Sequence, residues 1–232
     1  MIGNSLQAFL FCTLLAMSLA IFFSFYIYKK YPMHGLFRVI LFMPQIISSV
    51  VFVLLYKYIV TDVYKYIMLE VTGETVQGLL DNLETKKITV FFYCVYHGFG
   101  VNVLLFGGAM SGINDSVVES AQLDGVNVLQ EFWYITLPMI FPTLRSFLII
   151  GIAGIFTNQL ALHTFFGGDA AGLSTIGYTM YIQSVISGVI APNAQVMSYS
   201  ELSAMGIIFS AILFCVITLI KKVLNKYGPS VD

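Results

Sequence analysis

The chain has 232 residues, of which 58% are hydrophobic and only 10% are charged, and its formal net charge is −1. Soluble domains average about 45–50% apolar and about 25% charged residues. A soluble chain of this length could not bury so much apolar surface in one core. The acidic balance also lacks the basic footprint that nucleic-acid binding requires. The composition therefore indicates a protein that lies in the lipid bilayer and does not bind nucleic acid.

Five segments are long and apolar enough to cross a membrane as helices, since a crossing takes about 20 residues at 1.5 Å each. They are residues 6–28, 38–60, 88–111, 143–165 and 202–220. Helices are favoured because hydrocarbon offers the backbone no other hydrogen-bond partners. The first segment is too long for a signal peptide and its positive charges follow it, so we interpret it as a retained span. We predict an all-α, polytopic membrane protein with one transmembrane domain over residues 1–232.

The connecting segments alternate in charge. The first loop and the C-terminal tail are basic, whereas the loop over residues 61–87 is net acidic and residues 166–201 contain no Lys or Arg. The basic residues are Lys29, Lys30, Arg38, Lys221, Lys222 and Lys226. Because positive residues favour the cytoplasmic side, we predict that the N-terminus faces out and the C-terminus faces the cytoplasm. The loop after the third span is then cytoplasmic.

Residues 172–190 are uncharged and could form a sixth span. However, they are rich in Gly, Ser, Thr, Tyr and Gln, and a sixth crossing would place the lysine-rich tail outside. We therefore predict a re-entrant or interfacial helix on the outer side. Irregular backbone is tolerated at membrane depth where it lines a cavity.

The loop over residues 114–138 contains the most regular polar pattern in the chain. Ser116 and Glu119 have capping-box spacing, which predicts the start of a short helix. Asp124-Gly125 predicts its end, because glycine adopts the left-handed conformation that follows many helices. A second, amphipathic helix is predicted from there to Leu137-Pro138. Pro142 stands where a further helix could begin.

The segment Glu119-Ser-Ala-Gln-Leu-Asp-Gly125, continued by Ile135, Leu137 and Pro138, resembles the "EAA" loop of binding-protein-dependent ABC importer permeases. In that family the pattern reads E-A-A-x-x-D-G, then about nine residues, then I-x-L-P. Ser120 replaces the usual first alanine, which is a change between small residues.

Two flanking motifs extend the resemblance to most of the chain. Gly35-Leu-Phe-Arg-Val-Ile-Leu-Phe-Met-Pro44 is similar to the entry of a span in carbohydrate-type permeases, and Asn4-Ser-Leu resembles the N-T-L that opens the permease core. Together they resemble the maltose-type branch and its first permease subunit. Such subunits usually have an extra N-terminal span, so we expect either a five-span subunit or a shortened reading frame.

The resemblance implies that this loop docks on a cytoplasmic ATPase. The residues to which it gives this coupling role are Glu119, Ser120, Ala121, Asp124, Gly125, Leu137 and Pro138. It implies a second homologous permease, two ATP-binding subunits and an extracytoplasmic solute-binding protein as partners, in the cytoplasmic membrane of a bacterium or archaeon. It also implies that a sugar or oligosaccharide is the solute. ATP and magnesium would bind the partner ATPase, because this chain has no phosphate-binding G-x-x-x-x-G-K-[ST] loop.

The sequence lacks the patterns of a catalytic or metal centre. No serine–histidine–aspartate or paired-carboxylate arrangement has catalytic spacing. Cys12, Cys94 and Cys215 lie in apolar runs, with no spacing typical of a metal site or disulfide framework. We predict no catalytic residue, no metal and no cofactor in this chain.

Polar residues in the fourth predicted span are candidates for a substrate path. Asn158, Gln159 and His163 could donate to or accept from sugar hydroxyls, and Phe156 or Tyr178 could stack on a pyranose ring. Polar side chains in a membrane usually face the interior of the bundle. They can equally be hydrogen-bonding contacts between helices, and the sequence favours neither reading.

Two alternative functions remain. The first is a permease for another solute class, such as amino acids, peptides or ions. The second is an ATP-independent channel or carrier, which typically carries intramembrane charges or inverted repeats. The spans contain no central charged residue. A membrane-embedded enzyme is the least favoured reading.

Overall fold

The computed structural model describes residues 1–170, 172–188 and 197–229, and in these residues it contains helices, turns and no β-strand. The helices are α1 (Ile2–Tyr28), α2 (His34–Ile46), α3 (Ser49–Thr72), α4 (Leu83–Ser111), α5 (Asp115–Leu123), α6 (Val128–Met139), α7 (Phe141–Ala153), α8 (Leu162–Phe166), α9 (Ile176–Gly188) and α10 (Tyr199–Tyr227). The prediction of an all-α polytopic fold is confirmed. Among the described residues, three helices are long and apolar enough to cross a membrane, or up to five if each of two bent pairs counts as one span.

Helices α1 and α4 run side by side in the same direction. Lys87 Nζ donates to Asn4 Oδ1 near the start of both helices (3.3 Å), and Ser24 Oγ donates to the Val103 carbonyl further along (2.9 Å). The fully buried Ala20 lets the helices approach closely, as small residues do in membrane bundles. The end at which α1 and α4 finish, with residues 29–33 and 112–140, is called here the loop end. The opposite end, with residues 1–5, 73–82 and 154–175, is called the far end.

The prediction of one continuous helix over residues 38–60 is wrong. Helices α2 and α3 meet at an angle of 105°. Ile47 and Ser48 have extended backbone between them, and Pro44 lies in the last turn of α2. Proline cannot donate the helical hydrogen bond of its turn, so the sequence carried a signal for a break here.

The predicted span 143–165 is also wrong as a continuous helix. Helix α7 ends at Ala153, and turns with left-handed backbone at Leu160 and Ala161 lead into α8. The Asn158 side chain accepts a hydrogen bond from the Leu160 amide (2.9 Å). Asparagine favours such local turns over a continued helix.

The remaining predicted spans lie within longer helices. Residues 6–28, 88–111 and 202–220 fall inside α1, α4 and α10, respectively. Helix α10 has almost no buried residue in its most apolar stretch, so most of its surface faces outward from this chain. The described helix α9 has 13 residues, about 20 Å, which is shorter than the roughly 30 Å hydrocarbon core. Residues 189 and 190 of the region predicted to be re-entrant lie outside the described residues, as do residue 171 before it and residues 191–196 after it.

Candidate coupling site and transport path

Helix α5 begins at Asp115 with Asn114 as its N-cap. Asn114 Oδ1 accepts hydrogen bonds from the Ser116 amide (3.0 Å) and the Ser116 hydroxyl (2.9 Å). The predicted capping box of Ser116 and Glu119 is therefore wrong. Asparagine caps as well as serine does, and the helix starts two residues before the position predicted from the Ser116 spacing.

Helix α5 ends in a Schellman motif. The Gly125 amide donates to the Gln122 carbonyl and the Val126 amide donates to the Ala121 carbonyl, both at 3.1 Å. Gly125 has φ +80° and no atom within 4 Å of the position a Cβ would take. The left-handed turn predicted at Asp124-Gly125 is present, and it reverses the chain between α5 and α6.

The tip of this loop is exposed. Glu119, Ser120, Asp124 and Gly125 are exposed, Ala121 is half-buried, and Leu123 is 89% exposed. Val118 is the one residue of α5 that is buried in this chain. The tip therefore presents the Glu119 and Asp124 carboxylates and the apolar side chain of Leu123 at the surface.

The base of the loop is buried. Helix α6 starts with a capping box in which Asn127 and Gln130 exchange hydrogen bonds of 2.9 Å. One turn later, Glu131 forms an ion pair with Lys29 at 2.5 Å, and the two side chains are 3% and 17% exposed. The pair joins the end of α1 to the start of α6.

Aromatic packing extends this anchor. The Phe132 ring lies 5.0 Å from the rings of both Phe22 and Phe25 in α1. The backbone of α6 widens to a π-helical turn at Phe132–Thr136, a geometry that often accompanies functional sites. Leu137 and Pro138 are half-buried at the end of α6, just before a bend of 67° into α7. The loop therefore has an exposed tip on a base that is fixed to α1 and continues into α7.

The residues predicted for a substrate path do not form one cluster. Phe156 packs against Phe209 of α10, with ring centroids 4.9 Å apart. Asn158 lines a cavity of about 210 Å³ together with Ser5 and Thr13 of α1. Gln159 is half-buried.

His163 and Tyr178 converge on one backbone atom. The Tyr178 hydroxyl donates to the Gly167 carbonyl (2.8 Å), and His163 Nδ1 lies 3.3 Å from the same oxygen. Tyr178 is 3% exposed, so its ring is not available to stack on a sugar in this conformation. His163 is exposed and packs edge-on against Tyr181.

Sequence reasoning missed the residues that organise the far end. Ser5 is fully buried, and its Oγ accepts from the Ile176 amide (3.0 Å). Asn4 Nδ2 donates to the carbonyls of Gly172 (2.7 Å) and Ser174 (3.2 Å). Lys57 Nζ donates to the Phe165 carbonyl (2.7 Å) at the end of α8. The polar Asn4-Ser5 pair at the start of an apolar helix was the available signal.

The long apolar helices of this bundle are those of a polytopic α-helical membrane protein. The family model described as "Binding-protein-dependent transport system inner membrane component" matches residues 13–227. The chain therefore belongs to this family of transport permeases, whose members are not themselves catalytic.

Several relatives are named as permeases for sugars. The chain is 26% identical over 157 residues to the arabinooligosaccharides transport system permease protein AraP of Bacillus subtilis, covering 65% of this chain and 50% of AraP. It is 27% identical over 150 residues to the maltose/maltodextrin transport system permease protein MalF of Salmonella typhimurium, covering 62% of this chain and 29% of MalF. The chain thus spans about half or less of the length of these relatives.

Solved structures share the fold. A chain in the crystal structure of a bacterial alginate ABC transporter, in complex with an alginate pentasaccharide-bound periplasmic protein, matches 97% of this chain and 77% of its own length. The TM-score is 0.80 at 18% identity. A second structure, of a bacterial ABC transporter that imports the acidic polysaccharide alginate, matches with a TM-score of 0.81 at 19% identity.

Proposed function

We propose that this chain is a membrane-spanning subunit of an ATP-driven importer and that α5 is the helix on which a cytoplasmic ATPase acts. The observation that carries the proposal is the combination of an exposed tip and a fixed base in the loop over residues 114–138. Force applied to α5 would reach α1 through the Lys29–Glu131 pair and α7 through the end of α6.

The chemistry of the tip fits docking on a basic cleft. Glu119 in α5 and Asp124 directly after it are exposed carboxylates. Ser120 and Ala121, between them, are small enough to permit close approach of a partner. Leu123 supplies an apolar contact. Converting a transporter from 1:99 to 99:1 between two conformations takes about 5.5 kcal/mol. In this proposal nucleotide binding by the ATPase supplies that energy, with ATP and magnesium held outside this chain.

The full assembly would contain a second homologous permease, two ATP-binding subunits and an external solute-binding protein. The outward-facing surface of α10 supports a helical partner in the membrane. In this arrangement the N-terminus and far end face outward, and the loop end and C-terminus face the cytoplasm of a bacterium or archaeon. The named relatives support a sugar or oligosaccharide as the solute.

Co-purification tests the assignment of α5. Gly125→Asp adds a side chain and a charge at a left-handed glycine in the tip, so we expect it to abolish recovery of the ATPase with the tagged chain. Retention of the ATPase together with solute uptake would refute the coupling role.

Gly73→Asp is the matched control. Gly73 follows α3 at the far end, has φ +72° and, like Gly125, has no atom within 4 Å of a Cβ. The two substitutions therefore impose the same backbone strain and the same charge at opposite ends of the bundle. Gly73→Asp should retain the ATPase, and equal loss from both variants would indicate misfolding and contradict the assignment.

A further inference from the structure

A basic cavity lies at the loop end, between the α1–α2 loop and the last turns of α4. Its volume is about 390 Å³. Lys30, His34 and Arg38 line one side, and among the described residues that line it there is no Asp or Glu. The cavity is therefore suited to an anion.

The cations of this cavity differ from others in the chain. Lys29, next in sequence, is paired with Glu131, and Lys65 is paired with Asp81. In the described part of the chain, the side chains of Lys30 and Arg38 form no ion pair or hydrogen bond. Lys221 and Lys222 of α10 are likewise exposed and unpaired in the described part of the chain, but they line none of the described cavities.

Two glycines of α4 and the N-terminus of α2 form other parts of the cavity wall. Gly107 and Gly108 of α4 have no atom within 4 Å of a Cβ position, so the missing side chains leave this wall open. The first turn of α2, with His34 and Gly35, also lines the cavity; it has no side-chain cap, and of these two amides that of His34 donates to the Tyr31 carbonyl (3.0 Å). Uncapped amides at a helix start attract negatively charged oxygen.

The position of the cavity selects the kind of anion. It lies where α1 and α4 finish and α2 begins, and the predicted topology puts this end of the spans at the boundary between lipid and water. Ile27, Val103 and Leu104 form an apolar floor. The rings of Tyr26 and Tyr31 pack at a tilt nearby, with centroids 5.3 Å apart, and tyrosine is enriched at membrane interfaces. A polar, cationic mouth above an apolar floor matches a phospholipid, with its phosphate outward and its chains inward.

We propose that this cavity binds the phosphate-bearing headgroup of an anionic membrane phospholipid through Lys30, His34 and Arg38. The bound headgroup sits one turn before the loop that carries α5 and next to the Lys29–Glu131 anchor. The proposal does not depend on the ATPase or on the solute, because it requires only that the loop end meets a membrane surface.

Native mass spectrometry of the full chain in detergent tests this site. Phosphatidylglycerol and phosphatidylcholine with identical acyl chains are added in turn to the wild type and to the double variant Lys30→Gln/Arg38→Gln. The wild type should retain phosphatidylglycerol in preference to phosphatidylcholine. The double variant should bind phosphatidylglycerol about thirtyfold more weakly, since each cation near an anionic surface contributes about fivefold.

The control is Lys221→Gln/Lys222→Gln, which removes the same charge from α10 and should leave lipid binding unchanged. Equal loss in both double variants would show unspecific attraction and overturn the proposal. Equal retention of the two lipids would overturn it as well. Displacement of phosphatidylglycerol by millimolar inorganic phosphate would also overturn it, because the cavity would then be a site for free phosphate. Gly108→Leu places a side chain in the cavity, keeps both cations and should also weaken phosphatidylglycerol binding. It therefore tests the site even if Lys30→Gln/Arg38→Gln fails to fold.

Discussion

The two ends of the bundle are held in place by different interactions. At the loop end, a surface helix with local caps is fixed by one buried ion pair and aromatic packing on α1. At the far end, the irregular segment after α7 is fixed by hydrogen bonds with the side chains of Asn4, which donates, and Ser5, which accepts; both lie some 170 residues away in sequence. In the proposed function the loop end contacts another protein, whereas the far end depends on polar contacts within the chain.

This difference has a mechanical consequence. A helix with an exposed tip and a rigid base transmits force without deforming. A segment of short helices and turns held by single hydrogen bonds can rearrange when those bonds are exchanged, which suits a gate or a solute path. The two ends should therefore respond differently to the loss of one polar group.

The largest effect is expected at the base of the coupling loop. Glu131→Gln leaves Lys29 largely buried without its counter-charge, and breaking a buried ion pair costs about 3–5 kcal/mol. We expect a large fall in the denaturation midpoint of the purified protein in detergent, together with loss of ATPase co-purification. Lys29→Met/Glu131→Leu, which removes both charges, should recover most of the stability.

The exposed Lys65–Asp81 pair is the control for this effect. Its side chains are 40% and 49% exposed, so Asp81→Asn should cost under about 1 kcal/mol. The hydrogen bond from Lys65 lowers the pKa of the Asp81 carboxyl. Its small contribution is therefore present above the ordinary aspartate pKa and is lost as pH falls through the lowered value. Similar losses from Glu131→Gln and Asp81→Asn would contradict the view of the loop base as a buried anchor.

A smaller and more local effect is expected at the far end. Ser5→Ala removes the acceptor for the buried Ile176 amide, and an unsatisfied buried group costs about 1–3 kcal/mol. Hydrogen exchange should accelerate at residues 172–178 and remain unchanged at residues 115–131. Ser203→Ala on exposed α10 removes only a hydroxyl bonded within its own helix and serves as control. Exchange that accelerates equally at both ends would show that they are not independent.

The sequence predicted the loop end well because its signals are local. Asp124-Gly125 specifies a turn from two adjacent residues, and the structure has that turn. The helix start was misplaced only because two neighbouring residues, Asn114 and Ser116, can both cap. The burial of Glu131 could not be read from its neighbours, since it depends on Lys29, which lies about 100 residues earlier.

The far end was predicted poorly for the opposite reason. Residues 143–165 are apolar enough for a span, but the helix is broken at Gly154–Ala161. The break depends on two hydrogen bonds of Asn158: its side chain accepts from the Leu160 amide, and its carbonyl accepts from the Thr175 hydroxyl (2.9 Å). Apolar composition indicates that a segment lies in the membrane, but it does not indicate whether the segment is one continuous helix. Likewise, Tyr178 is an aromatic residue in a polar helix, but its burial against Gly167 follows from tertiary contacts.

Sidedness of the loop tip tests the central claim most directly. In a background with Cys12, Cys94 and Cys215 replaced by alanine, single cysteines at the exposed positions Ser120 and Glu74 report on the two ends. A membrane-impermeant maleimide should label Glu74→Cys in intact cells and Ser120→Cys only in inverted vesicles. Labelling of Ser120→Cys in intact cells would place α5 outside, beyond the reach of any cytoplasmic ATPase, and would contradict the account.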